Sequence, residues 1–460
     1  MIGIPARIGA DRAPGTFSVL HVAGTWAPDP TGGAERYVGE LAAGLAEEGV
    51  ASIIAAPGME AVTPGDGGGA FRYVMPAVSG RQLLGEANGE GSVDAARALS
   101  EIARRSGVGL VNIHSNLRAS GLAAVKLLKL MQLPVVFTYH DTGYSCPRGD
   151  LSLMGRKVCD GNLEPHRCLA CCHQAQGVPC ALAGLSARAF RTTEGGPALA
   201  AHLGPSVARL ARWRHLASRI QATREFLHLI DGIVAPSKWV EELLARNGVD
   251  RVRISHVPQP VPADAVRVER RERRVGSRPV VLFIGHLGRG KGLGVLIQEV
   301  RKDPSLDIDV KVFVSTPNHR AVLEFHRIAR ETKTDGRFGF ARNRPRAEVL
   351  RALAGADVLV VPSVQPETGP LVVLEGRAAG IPVVGPRMGG IEERVEDGVD
   401  GVLYEPGKPG ALRAALRTAL SMPRPPEARR EELPDRRKVA REILRRAYLP
   451  AIERAGGRKV

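Results

Sequence analysis

Glu367 and Glu375 stand eight residues apart in the stretch ETGPLVVLEGRAAGIPVVGPRMGG, which runs from Glu367 to Gly390. Between them Pro370 fixes φ at a first helical position. The spacing therefore puts Glu367 on a loop just outside a helix and Glu375 further along it. A helix N-terminus carries partial positive charge and unpaired N–H donors that suit a phosphate, while carboxylates beside it accept hydrogen bonds from vicinal hydroxyls. That division of labour fits a nucleotide sugar. Taken singly, Glu367 would read as a capping carboxylate and Glu375 as a solvated helix residue. The AAGIPVV strand entry that follows is what argues for a site.

Other residues fall where such chemistry needs them. His140 and Asp141 close the run PVVFTYHD, which places a titratable ring at the carboxyl end of a strand, where open α/β sheets bind ligands. Near the start, HVAGTWAPDPTGGAERYVGELAAGLAEEG reads as strand, glycine loop and helix, with Ala34, Val38, Leu41 and Leu45 on the buried helix face. Gly32 and Gly33 let the backbone approach a ligand at that helix N-terminus, and Glu35 follows as a capping carboxylate. Ser237 caps the helix KWVEELLARNG. Asp307 and Asp309 form a DxD pair ahead of the strand VKVFV and read as a turn cap, so no catalytic metal is expected.

Glu367, Gly369, Leu374, Glu375, Ala378, Gly380, Pro382, Val383 and Gly390 resemble the E-x7-E signature of the retaining glycosyltransferase family 4. The resemblance extends over both halves of the chain and implies a GT-B fold, with two Rossmann-like, doubly wound parallel-sheet domains facing each other across a cleft. By that resemblance Glu375 holds the donor ribose, Glu367 meets the donor sugar, His140 hydrogen-bonds a sugar hydroxyl, and Gly33, Gly369 and Leu371 line the donor site. The segment VVLFIGHLGRGKGLGVLIQEV resembles the family loop whose Arg and Lys neutralise the leaving diphosphate. Lys291 stands in place six residues after Gly285, but His286 occupies the Arg position and Arg289 offers itself as a substitute. Pro370 stands where the family commonly has Gly, and Pro has no N–H to offer an oxyanion.

The implied reaction moves a hexosyl unit from a UDP or GDP sugar to an acceptor hydroxyl with retention, without a catalytic metal. The implied setting is biosynthesis of a cell-surface polysaccharide, glycolipid or glycoconjugate. A sugar-nucleotide epimerase of the same architecture and a non-catalytic sugar-binding relative are the competing readings.

All six cysteines fall between Cys146 and Cys180, and Cys146, Cys159, Cys168 and Cys171 spell C-x12-C-x8-C-x2-C. Intracellular thiols stay reduced, so a structural zinc held by four thiolates and a set of free thiols both remain open. Cys172, His173 and Cys180 are alternate ligands.

The elements that must position these residues are short β-branched runs alternating with amphipathic helices, the pattern of an α/β chain with parallel sheets. Strands are expected near Val19, Ile53, Val111, Val136 and Val234, and again near Leu282, Val312, Leu359, Val383 and Val402. The expected domains are 1–257, with a Cys-rich insertion at 146–180 and a helical segment at 196–228, and 280–435. A Pro- and charge-rich linker at 258–279 joins them, and a final helix at 436–460 crosses back to the first domain.

With 460 residues there is length for two cores, and 64 Lys and Arg against 48 Asp and Glu give a net charge of +16. That surplus favours phosphorylated donors or an acidic membrane surface. Only 4% of residues are aromatic and no basic run interleaves with them, which argues against nucleic acid. The N-terminus lacks a secretory pattern and no window approaches a membrane span, so the expected place is the cytoplasm or the inner face of the cell membrane.

Overall fold

The computed structural model describes residues 17–24, 32–57, 70–75, 91–114, 121–155, 157–175, 177, 205–269, 275–316, 318–425 and 428–456. The chain divides into two compact units, Met1–Val257 together with Arg437–Val460, and Pro258–Arg436.

The first unit is a seven-stranded parallel sheet in the order β3-β2-β1-β4-β5-β8-β9. Its strands are β1 (Ser18–Val22), β2 (Ala51–Pro57), β3 (Ala70–Met75), β4 (Leu110–Ile113), β5 (Val135–Thr138), β8 (Gly232–Ala235) and β9 (Ile254–His256). The strand order reverses between β1 and β4, the point at which such sheets bind ligands. A two-stranded antiparallel ribbon, β6 (Ser152–Leu153) with β7 (Lys157–Val158), lies in the cysteine-bearing segment.

Side chains alternate along a strand, so Leu20 and Val22 face one layer of helices while Val19 faces the other. The second layer contains the helix Gly33–Glu47, with Val38, Leu41 and Leu45 fully buried and Ala34 at its margin. Each such leucine contributes about 1.5–3 kcal/mol by leaving water. Val439, Ile443, Tyr448 and Ile452 from the C-terminal helical run complete that layer.

The second unit is a six-stranded parallel sheet, β12-β11-β10-β13-β14-β15. Its strands are β10 (Val280–His286), β11 (Asp309–Ser315), β12 (Phe338–Arg342), β13 (Val358–Val360), β14 (Val383–Pro386) and β15 (Gly401–Tyr404). The order is again reversed about its first strand, between β10 and β13. The segment 258–279 does more than connect. It holds the short helix Ala263–Val266, whose Ala265 packs with Val261, Leu371, Leu374 and Ala378. Among the described residues no helix is long and apolar enough to cross a membrane.

Candidate active site

In the second unit the chain leaves β13 at Val360 and reaches the helix Leu371–Ala378 through a loop that carries Glu367. The helix begins one residue later than the sequence suggests, with Pro370 in the capping position. The loop lies against the turn after β10. Gly292, at φ +73°, is so close that a Cβ would overlap the Pro362 carbonyl. The Val364 N–H donates to the Gly290 carbonyl at 2.9 Å. From the other side Gly390 donates its N–H to the Glu367 carbonyl at 2.7 Å, and a Cβ there would stand 2.8 Å from the Thr368 carbonyl.

This clamp brings Lys291 and Glu367 together. The Lys291 Nζ donates to both Glu367 carboxylate oxygens at 2.8 Å, and the Ser363 hydroxyl donates to Oε1 at 2.7 Å. One cation and one anion thus sit side by side at the carboxyl end of the sheet, at its switch point. Beneath them lies a buried guanidinium, Arg394, which donates to the Pro370 carbonyl at 3.2 Å and to Gln259 Oε1 at 2.9 Å. Burial pulls its pKa down to about 10. Arg394 supports the loop that carries Gly369.

Glu375 is not a solvated helix residue, since it is 2% exposed and forms a 2.9 Å ion pair with Arg346. Arg346 also donates twice to Asp264, both at 2.8 Å. Burial lowers the Arg346 pKa, but the hydrogen bond to Asp264 and the charges of Glu375 and Asp264 outweigh it and hold the group above its usual value. Its Nη1 is buried with no hydrogen-bond partner among the described residues.

The remaining donor-site residues of this unit fall differently. His286 is exposed and its Nδ1 meets the Ser315 hydroxyl at 2.5 Å, so β11 holds the ring. Arg289 lies exposed on the turn Arg289–Lys291. The Leu371 side chain is buried in the core, which leaves only its backbone to face a ligand. Asp307 and Asp309 pair with Arg278 at 2.6 and 3.9 Å, and Asp309 opens β11.

In the first unit Gly33 opens the helix Gly33–Glu47, while the glycine loop before it, 25–31, lies outside the described residues. His140 follows β5 and belongs to a cluster that the sequence reading missed. Its Nε2 lies 3.2 Å from His114 Nδ1, and His114 Nε2 lies 2.9 Å from His21 Nδ1. His21 Nε2 in turn meets the Ser52 hydroxyl at 3.2 Å. Tyr37 packs edge-on against His140, with ring centroids 4.7 Å apart. His21 and His114 are fully buried, and burial pushes the pKa of His21 and of His140 down to about 3 and that of His114 well below its ordinary value. Shifts in this direction keep the rings uncharged near neutral pH. The sequence signal for this cluster is parity, because each ring lies on the same face of β1, β4 or β5 as Val19, Leu110 or Val136.

The cysteine segment folds as the ribbon β6–β7 and the helix Pro165–Ala175. Cys146, Cys159, Cys168, Cys171 and Cys172 line one small cavity, while Cys180 lies outside the described residues. Cys171 Sγ accepts the Met154 N–H at 3.1 Å and donates to the Ser152 carbonyl at 3.3 Å. Burial pushes the thiols of Cys168 and Cys172 up to about 12. Among the described residues no three His, Cys, Asp or Glu side chains stand at a spacing that holds a metal ion.

Two family models match this chain in succession. The one described as Glycosyltransferase Family 4 covers residues 31–165, and the one described as Glycosyl transferases group 1 covers 267–436. The chain belongs to glycosyltransferase family 4. A D-inositol 3-phosphate glycosyltransferase of Corynebacterium glutamicum is 32% identical over 167 residues, which is 35% of this chain and 40% of that protein. The match thus spans less than half the length of this relative. Among solved structures, the sucrose-phosphate synthase of Thermosynechococcus elongatus superposes with TM-score 0.59 at 15% identity, covering 96% of this chain and 97% of that one. The Anabaena protein HepE in complex with UDP and glucose gives 0.54 at 14% identity, covering 96% and 98%. These likenesses establish the fold, which is GT-B.

Proposed function

We propose that this family 4 member is a retaining hexosyltransferase that uses a UDP or GDP sugar and needs no catalytic metal. The observation that carries the reading is the Lys291–Glu367 pair, clamped by glycine contacts at the switch point of the second sheet. In the reaction the bond from the anomeric carbon to the diphosphate breaks and a bond to the acceptor oxygen forms on the same face. The acceptor proton passes to the departing diphosphate. Negative charge grows on that diphosphate, and a fixed cation such as Lys291, already in place, stabilises it better than mobile water can. Glu367 faces the sugar and His140 a sugar hydroxyl, and Glu375 takes the ribose once Arg346, which covers it in this structure, swings aside. Arg289 supplies the second cation that His286 does not.

HepE, a protein of the same fold, binds UDP and glucose, which supports a nucleotide-sugar donor. The Corynebacterium relative is named for a phosphorylated polyol, which fits the +16 charge of this chain and argues for an anionic acceptor. For a lipid-linked acceptor the same charge supports loose attachment to anionic lipid at the inner face of the cell membrane. The test is release of UDP or GDP from a panel of sugar nucleotides, with NMR of the product's anomeric carbon. Transfer with retention is expected. Conversion of donor alone into an epimer would replace this reading with the epimerase, and an inert but donor-binding protein would replace it with a sugar-binding role.

We also propose that Cys146, Cys159, Cys168 and Cys171 draw together on a structural zinc when it binds, since without metal no three of these thiols stand at ligating spacing. What supports it is the convergence of thiols from a loop, the end of β7 and one helix on a common cavity.

A further inference from the structure

A neutral imidazole has one N–H and one lone pair, so a hydrogen bond between two such rings needs the donor of one and the acceptor of the other. His21, His114 and His140 are joined through unlike nitrogens each time, Nδ1 of His21 to Nε2 of His114 and Nδ1 of His114 to Nε2 of His140. Fixing the proton on one ring therefore fixes it on all three. Only two registers satisfy every contact: all rings protonated on Nδ1, or all protonated on Nε2.

Ser52 decides between them. Its side chain is 3% exposed, and among the described residues its hydroxyl has one hydrogen-bond partner, His21 Nε2 at 3.2 Å. With the rings protonated on Nε2 the hydroxyl would have to accept, and its own proton would lie buried with nowhere to go. With the rings protonated on Nδ1 the hydroxyl donates to His21, His21 to His114 and His114 to His140, so no proton is stranded at the Ser52 end. We propose that Ser52, His21, His114 and His140 form one ordered chain, in which the Ser52 hydroxyl holds all three rings in the Nδ1–H tautomer and so makes His140 Nδ1 a hydrogen-bond donor.

The consequence rests on the reading of His140 as the sugar-hydroxyl contact. A ring fixed as donor asks its partner hydroxyl to accept, and selects the orientation in which that hydroxyl's own proton points away. Ser52 and His21 are then positioning residues that act on the sugar through three and two intervening rings respectively. Neither residue need touch it. The parallel pairing of β1 with β2 and β4, and of β4 with β5, is what lines the four side chains up on one face of the sheet.

The experiment is long-range proton–nitrogen NMR on the full chain labelled with 15N-histidine, with resonances assigned from single His21→Gln, His114→Gln and His140→Gln variants. The expected spectrum near neutral pH has all three rings neutral, with protonated Nδ1 and bare Nε2. A proton on Nε2 of any of the three, or a cationic ring, overturns the proposal. Ser52→Ala, checked for an unchanged fold by its melting curve, should release the rings from the Nδ1–H tautomer, and Ser52→Thr should restore it. A Ser52→Ala variant that keeps the Nδ1–H tautomer on all three rings also overturns it. With an active enzyme Ser52→Ala should lower kcat by about tenfold with little change in KM for the donor, and Ser52→Thr should recover it. The expected tautomers in a protein that transfers no sugar would support the chain while rejecting the functional reading.

Discussion

Arg346 forms a 2.9 Å ion pair with Glu375, a carboxylate that is 2% exposed and sits 29 residues away in sequence. The same guanidinium holds Asp264 by two bonds of 2.8 Å, so one cation ties the helix Leu371–Ala378 to the short helix Ala263–Val266. Removing one partner of such a pair strands a buried charge. With Arg346 itself 21% exposed, Arg346→Met should destabilise the protein by about 2–3 kcal/mol, somewhat less than for a fully buried pair. Glu375→Gln leaves Asp264 in place for Arg346 and should cost about 1 kcal/mol. In the double variant the two losses should not add. Urea unfolding of the four proteins measures the coupling, and strict additivity would mean that the pair does not hold the helices.

Lys291 and Glu367 pose a different question, because their pairing stabilises the loop and also occupies the groups proposed for chemistry. Lys291→Ala should reduce release of the nucleoside diphosphate by about 10²- to 10³-fold, the usual cost of losing one fixed group that meets developing charge. Its melting point should fall by only a few degrees, since Ser363 still donates to Glu367 and the glycine contacts remain. Turnover within a factor of about two of the parent would remove Lys291 from the mechanism.

The sheets were legible because strands buried on both faces leave β-branched runs, as in Val19–Val22 or Val280–Ile284. The strands that sequence reading passed over lack such a run. β9 is three residues long, and β12 at the sheet edge is half exposed, with only Phe338 and Phe340 as large apolar anchors. In the candidate site, Glu367, Glu375 and Lys291 could be read because one loop, one helix and one glycine turn carry them at fixed spacing. Arg346, Arg394 and the His21–His114 pair could not, since each acquires its partner only through tertiary packing. His21 and His114 are 93 residues apart and meet because β1 and β4 run side by side in register. The burial of Glu375 was likewise invisible, since a Glu between Leu374 and Gly376 gives no hint of the arginine that covers it.

For the cysteine pocket the outcome to look for is zinc retained at about one ion per chain after gentle purification, as a four-thiolate site requires. Because burial holds the Cys168 thiol up to about 12 and raises that of Cys159, zinc entry must expel protons from these two ligands. Affinity should therefore rise steeply with pH, and Cys168→Ser should lose the metal and melt at a lower temperature. Elemental analysis that finds neither zinc nor iron, with a melting curve indifferent to chelator, would leave five free thiols around a void.

The buried imidazoles predict an acid limit that carboxylates alone would not give. In the folded chain His21 has its pKa near 3 and His114 lies well below its ordinary value, both through burial, whereas in the unfolded chain each returns to about 6.5. Above about pH 6.5 neither state binds the proton and the native state keeps its full stability. Below it the unfolded chain takes up protons that the native rings refuse, so stability falls with pH by up to about 1.4 kcal/mol per unit for each ring. The loss continues down to the folded pKa. Glu48, held near 2 by Arg441 and Arg437, acts in a separate window below the usual carboxylate range. His140 is depressed in the same way, so urea midpoints should drop between about pH 6.5 and pH 5, before the carboxylates titrate, with a slope that reports about three protons or more. His114→Asn should flatten that slope, and a parent protein equally stable at both ends of the interval would mean that the rings are solvated in solution.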